Sequence, residues 1–162
     1  MSPIGWGLRF LSPAGQRARL SILIFHRVHA RPDPLFPGEM DAQHFRSVLG
    51  WLREWFQVLP LDQAVERWRQ GDLPARAAAI TFDDGYADNH QVALPLLEQA
   101  GLSACFFIAT GFLDGGRMWN DVLIEAVRGA RGEPLDVSGL SPVFADLAPL
   151  PLDSWPARSR AA

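Results

Sequence analysis

The stretch "AAAITFDDGYADN", residues 77–89, decides how the rest of the chain is read. A run of small and apolar residues ends abruptly in two adjacent aspartates and a glycine. The run has the composition of a buried strand. Side chains alternate along a strand, so Ile80 and Phe82 share one face while Thr81 and Asp83 share the other. Asp83 is then the last strand residue and Asp84 the first of the loop, with Gly85 permitting a tight turn. Adjacent carboxylates repel, and a buried carboxylate must be paired or bind a cation. A division of labour uses both: one binds a divalent cation and the other takes a proton. The plainer alternative is a turn in which Asp84 caps a helix.

Upstream, "LSILIFH" (20–26) reads as a buried strand, and "RPDPLFPGE" after it as a loop. Phe45, Val48, Leu49, Leu52 and Trp55 form one apolar stripe, which predicts a helix over 42–55 with Asp41 as its cap. "FQVLPL" is a short strand. "DQAVERWRQG" is a helix capped by Asp62 and stopped by Gly71. Downstream, "DNHQVALPLLEQAG" is a helix that Pro95 kinks or starts late. "LSACFFIAT" reads as a buried strand with Phe106, Phe107 and Ile108 in the core. "WNDVLIEAVRGARG" is a helix capped by Asn120 or Asp121, with a sugar-stacking Trp119 as the alternative use of that corner.

The order is β-α-β-α-β-α-β-α, which implies parallel strands flanked by helices. Periodicity leaves open a small open sheet or an unfinished barrel, since eight strands close the usual one. Three segments are expected: a flexible leader over 1–19, an α/β domain over 20–132, and a Pro-rich irregular segment over 133–162. Prolines 134, 142, 149, 151 and 156 interrupt every element one would draw in the last.

Bulk properties exclude several classes. The 162 residues suffice for one real core. A net charge of −3 gives no nucleic-acid footprint. All fifteen cations are Arg, which rules out lysine-dependent mechanisms. The single Cys105, in an apolar run, reads as a buried inert thiol. No apolar run approaches the roughly 20 residues of a membrane span. The leader lacks the order of a signal peptide, because Arg9 interrupts its apolar part. It reads as a surface-lying segment, with a membrane-touching amphipathic one as the alternative. The sequence does not fix a location; a cytoplasmic or membrane-peripheral one is the expectation.

"ITFDDGYADN" closely resembles the first motif of the polysaccharide deacetylases, carbohydrate esterase family 4. "LSILIFHRV", "LPLDQA" and "LPLLEQAGLSACFFIATGFLDGGRMWND" resemble neighbouring segments of the same domain, so the likeness covers about residues 20–131. The final "LPLDSWPARSRAA" resembles an inserted region of an exopolysaccharide-related bacterial subgroup. The resemblance implies the N-terminal portion of a distorted (β/α) barrel of seven strands. It also implies metal-dependent hydrolysis of acetyl groups on a polysaccharide or oligosaccharide. By motif, Asp83 matches the catalytic base and Asp84 a ligand of a divalent metal, Zn²⁺ first. His26, at the end of the first strand, and Tyr86 are candidate substrate contacts.

The family's site needs two further ligands from a downstream His-Ser/Thr-x-x-x-His motif. This chain has only His26, His29, His44 and His90, and no histidine after residue 90. His29 reads as an exposed turn residue, His44 as a solvated helix residue and His90 as a surface residue at a helix start. A chain that stops before the second half of the barrel is the simplest expectation, with exposed strand edges that favour aggregation or association with a missing half. A non-catalytic, carbohydrate-binding half-domain that needs a partner chain is the competing reading. A phosphorylation receiver also puts paired acids at a strand end, but by family resemblance it uses a lysine.

Overall fold

Four short strands carry the first of two units in the chain. They are β1 (Ser21–Phe25), β2 (Gln57–Val58), β3 (Ala77–Phe82) and β4 (Cys105–Phe106). The computed structural model describes residues 3–130 and 134–161. The first unit comprises Met1–Pro32 and Glu39–Ala109; the second comprises Asp33–Gly38 and Thr110–Ala162. The segment boundary expected at 132/133 lies outside the described residues.

All pairings in the sheet are parallel. β3 is central and buried along its whole length. β1 covers one edge of it, in a register that sets Leu23 beside Ile80 and Phe25 beside Phe82. β2 pairs with the start of β3 and β4 with its end, so the two share the other edge. The helices are α1 (Pro3–Leu11), α2 (Ala42–Trp55), α3 (Leu61–Gln70) and α4 (Leu94–Ala100). Strands and helices therefore alternate from β1 onward, as the sequence predicts.

Local chemistry explains the boundaries. The Asp41 carboxylate accepts from the backbone N–H groups of Gln43 and His44, both at 2.8 Å, and starts α2 where the apolar stripe begins. Phe45, Leu49 and Leu52 of that stripe are buried. A left-handed Gly71 ends α3 and a left-handed Gly101 ends α4. The kink expected at Pro95 takes the form of a π-turn over Asn89–Ala93 that runs into α4. The missing N–H of Pro95 then falls in the first turn of α4, where it costs least.

The first unit's core lies on one face of the sheet. Ile80 and Phe82 pack there with Val28, Phe45, Leu49, Leu52, Ala93, Leu96 and Leu97. Phe82 stacks on Phe25 at 5.3 Å and on Phe106 at 5.1 Å, and meets the edge of Phe45 at 5.8 Å.

Several expectations are corrected. Asp62 does not cap α3: Pro60 is its N-cap, and Asp62 sits in the first turn, where it still favours the helix dipole. The strand expected over "LSACFFIAT" shrinks to two residues, and Phe107 and Ile108 are about half exposed rather than core. Beyond Phe106 only the Phe107 N–H still donates to the ladder, at the Phe82 carbonyl. Cys105 is half-buried. Trp51 and Trp68, whose places on the helices suit core or interface residues, are exposed, so of these two uses only an interface is left to them, and Trp51 stacks on Trp55 at 5.8 Å along α2. His29 is not an exposed turn residue: it is partly buried and lies 2.6 Å from Glu39.

The second unit contains α5 (Trp119–Gly129) and α6 (Trp155–Ala161) around Leu35, Val127 and Leu152. Met118 is the N-cap of α5, so neither Asn120 nor Asp121 caps it. Pro156 does not prevent α6, because it occupies the helix's first turn. Arg128 grips the buried Asp33 through two hydrogen bonds of 2.7 Å, which hold the guanidinium still more firmly protonated. Arg158 donates to the Arg128 carbonyl and ties α6 to α5.

Candidate active site

The two aspartates lie at the C-terminal end of the central strand, the rim where parallel αβ folds place their ligands. Asp83 still belongs to the ladder in part, since its N–H donates to the Phe25 carbonyl at 2.9 Å. The register therefore sets His26 beside Asp83, both on the face opposite the core. His26 Nε2 is 4.0 Å from Asp83 Oδ2, too long for a direct hydrogen bond and suited to a bridging water. Both side chains are partly exposed.

The turn that follows is constrained. Asp84 has φ +72° and Gly85 φ +75°. Asp is among the few residues that tolerate the left-handed region. At Gly85 a Cβ would come within 2.9 Å of the flexible end of the Ile108 side chain, which can give way, so it is the positive φ that favours glycine. The Asp84 carbonyl accepts from the Ala109 N–H at 3.2 Å. This turn fixes where the Asp84 side chain leaves the backbone, next to Asp83 rather than on a helix cap.

A second layer joins the rim of β1 to the loop after β3. Asp88 accepts from Arg27 Nε at 2.9 Å and from the Val28 N–H at 3.3 Å. The buried Asn89 donates from Nδ2 to the His26 carbonyl at 2.9 Å and to Asp88 at 3.2 Å. The Arg27 guanidinium lies 4.5 Å above the Tyr86 ring, a cation–π contact that places Tyr86 at the edge of the rim. Arg27, Asp88 and Asn89 are the residues that sequence reasoning missed as a group. The polar cluster "ADN" after the acids was the only signal for them, and the partner segment lies some sixty residues upstream.

Of the other histidines, His90 is exposed in the π-turn, and His44 is exposed beside Asp41 at 3.1 Å. Neither joins Asp83. Among the described residues no group of three or more His, Cys, Asp or Glu side chains is placed to hold a metal ion. The residues present therefore do not by themselves form a complete cation site, and Asp84 is a single candidate ligand.

These features define a class: a parallel αβ protein with paired carboxylates on the strand rim, beside a histidine from the neighbouring strand. Residues 70–130 match the family model for polysaccharide deacetylases. YxkH of Bacillus subtilis, whose name describes it as a polysaccharide deacetylase, is 32% identical over 93 residues, 56% of this chain and 32% of that protein. Solved structures show the fold. A de-N-acetylase from Aggregatibacter actinomycetemcomitans aligns with TM-score 0.51 and 22% identity over 83% of this chain and 46% of that one. The Streptococcus pyogenes deacetylase PplD aligns with TM-score 0.52 and 19% identity, over 77% and 62% respectively. IcaB from Ammonifex degensii aligns with TM-score 0.51 and 22% identity, over 72% and 50%. The sheet and its helices are thus part of a distorted (β/α) barrel. The chain spans about a third of the curated relative's length and about half to two thirds of these structures.

Proposed function

We propose that this rim is the carboxylate side of a hydrolase site that removes acetyl groups from a polysaccharide. The observation that carries the reading is the register of β1 on β3, which puts His26 beside Asp83 at the strand ends. In this reading a water attacks the acetyl carbonyl carbon and passes its proton to the Asp83 carboxylate. The bond from carbonyl carbon to the sugar nitrogen or oxygen breaks, acetate leaves, and the sugar amine or hydroxyl takes up a proton. His26 and Tyr86 line the approach and contact the sugar. Asp84 would be one ligand of a divalent cation, Zn²⁺ first, whose chemistry would be to polarise the carbonyl. With Asp84 the single candidate ligand among the described residues, binding would be weak and would need the cation in excess.

The incomplete ligand set favours a second reading, a carbohydrate-binding half-domain without turnover. One experiment separates the two: acetate release from N-acetylglucosamine oligomers, with added Zn²⁺ and after chelation. The hydrolase reading expects turnover that needs the metal and is lost in Asp84→Ala. Absence of turnover under both conditions, with oligomer binding retained, leaves the binding reading.

A further inference from the structure

We propose that α1 and the turn after it dock on the surface of an anionic lipid bilayer. α1 exposes large apolar side chains on a water-facing surface. Phe10 is 88% exposed, Leu11 64% and Ile4 51%. At 100° per residue, Ile4, Gly7, Phe10 and Leu11 fall within one third of the helix circumference. They form one outward apolar stripe, whereas a surface helix ordinarily turns such a stripe inward.

Charge says what covers it. Arg9, Arg17 and Arg19 are all exposed and, with Phe10, Leu11 and Pro13, line a shallow concavity of about 370 Å³. Among the described residues none of the three meets a carboxylate within ion-pair distance. The first 32 residues contain Arg9, Arg17, Arg19, Arg27 and Arg31 and no acid, although the whole chain is net negative. All eighteen acidic residues come later. Exposed Phe and Leu beside a cluster of unpaired arginines match an interface with an apolar interior and an anionic surface. A second copy of this chain would bring a like-charged arginine cluster to the same place.

The segment is built to present this surface rigidly. The Gly15 N–H donates to the Leu73 carbonyl at 2.9 Å, and the Arg76 N–H to the Ser12 carbonyl at 2.9 Å. Ala18 is buried against Leu73 and Ala77. These bonds hold Arg17 and Arg19 beside the C-terminal end of α1. No described helix is long and apolar enough to cross a membrane, and α1, at nine residues, would lie in the interface plane.

The test is flotation of the full chain with vesicles of phosphatidylcholine containing about one third phosphatidylglycerol, against phosphatidylcholine alone. The chain should float with the anionic vesicles, and at least about tenfold more weakly with the neutral ones. Arg17→Gln with Arg19→Gln should weaken binding roughly fivefold per arginine and flatten its salt dependence. Phe10→Ser with Leu11→Ser should weaken it about tenfold or more while leaving the unfolding midpoint unchanged. Equal binding to neutral vesicles, no binding, or indifference to both pairs of substitutions would overturn the proposal. So would a concentration-dependent dimer that Phe10→Ser with Leu11→Ser abolishes, since the stripe would then serve a second copy.

Discussion

The two faces of the first unit's sheet come from the same strands and could hardly differ more. On one face Leu23, Phe25, Ile80, Phe82 and Phe106 are sealed beneath α2 and α4. On the other, Ile22 and Ile24 of β1 are about half exposed or more, Phe107 stands open, and the rim holds His26 and Asp83. A period of two divides the work. Ile80 and Phe82 of β3 pack into the core, while Asp83, one residue on, falls on the opposite face at the rim.

The largest expected effect falls on the sealed face. Phe82 is fully buried and touches three aromatic rings. Phe82→Ala should cost about 3–5 kcal/mol, read as a fall in the urea midpoint at constant slope. A loss below about 1 kcal/mol would mean that this face repacks freely, and the contrast between the faces would fail. Next comes Asp83→Asn, one residue along and on the opposite face. It should leave stability within about 0.5 kcal/mol, because it is a partly exposed substitution that removes no cavity-filling group. Acetate release should drop by about 100-fold or more if Asp83 is the base. A large stability loss with unchanged turnover would reverse the assignment of the two faces.

Ile24 measures how open the second face is. It is 61% exposed and lies beside Thr81 in the register. Ile24→Ser should change stability by about 0.5 kcal/mol or less and improve solubility. A cost near that of Phe82→Ala would show that something covers this face in solution. Sedimentation of the same variant would then tell a self-associating chain from a bound partner.

Much of this division was legible in the sequence, for a local reason. Asp41, the apolar stripe of α2 and the glycines after α3 and α4 act within a few residues of themselves, so spacing reveals them. The alternation through Ile80, Thr81, Phe82 and Asp83 is equally local. What spacing could not reveal is partnership. The apolar "CFFIAT" has the composition of a core strand, yet only Cys105 and Phe106 find ladder positions on β3. Trp51 and Trp68 lie on helix faces that are exposed in this chain, and hydrophobicity alone does not show it. Asp88 and Asn89 clamp a loop some sixty residues away, a contact no window along the chain contains. The acids themselves were conspicuous because two charges closing an apolar run violate the local pattern, and such violations gather at sites.

The smallest effect concerns how the sealed face is held shut at low pH. α2 closes that face, and Asp41 starts α2. The His44 backbone N–H that the Asp41 carboxylate accepts is the main cause holding its pKa below the usual 3.8; burial opposes the shift, while His44's charge and the Gln43 N–H add to it. A depressed folded-state pKa means that the stabilisation is fully present above the unfolded value. It is lost as pH falls through the folded one. The urea midpoint should therefore decline between about pH 5 and about pH 3 more steeply in the natural chain than in Asp41→Asn. That variant keeps an oxygen to accept the cap hydrogen bonds but carries no titrating charge. Parallel curves would show that the carboxylate's charge contributes nothing beyond its acceptor. The closure of the aromatic core would then rest on α2's buried stripe alone.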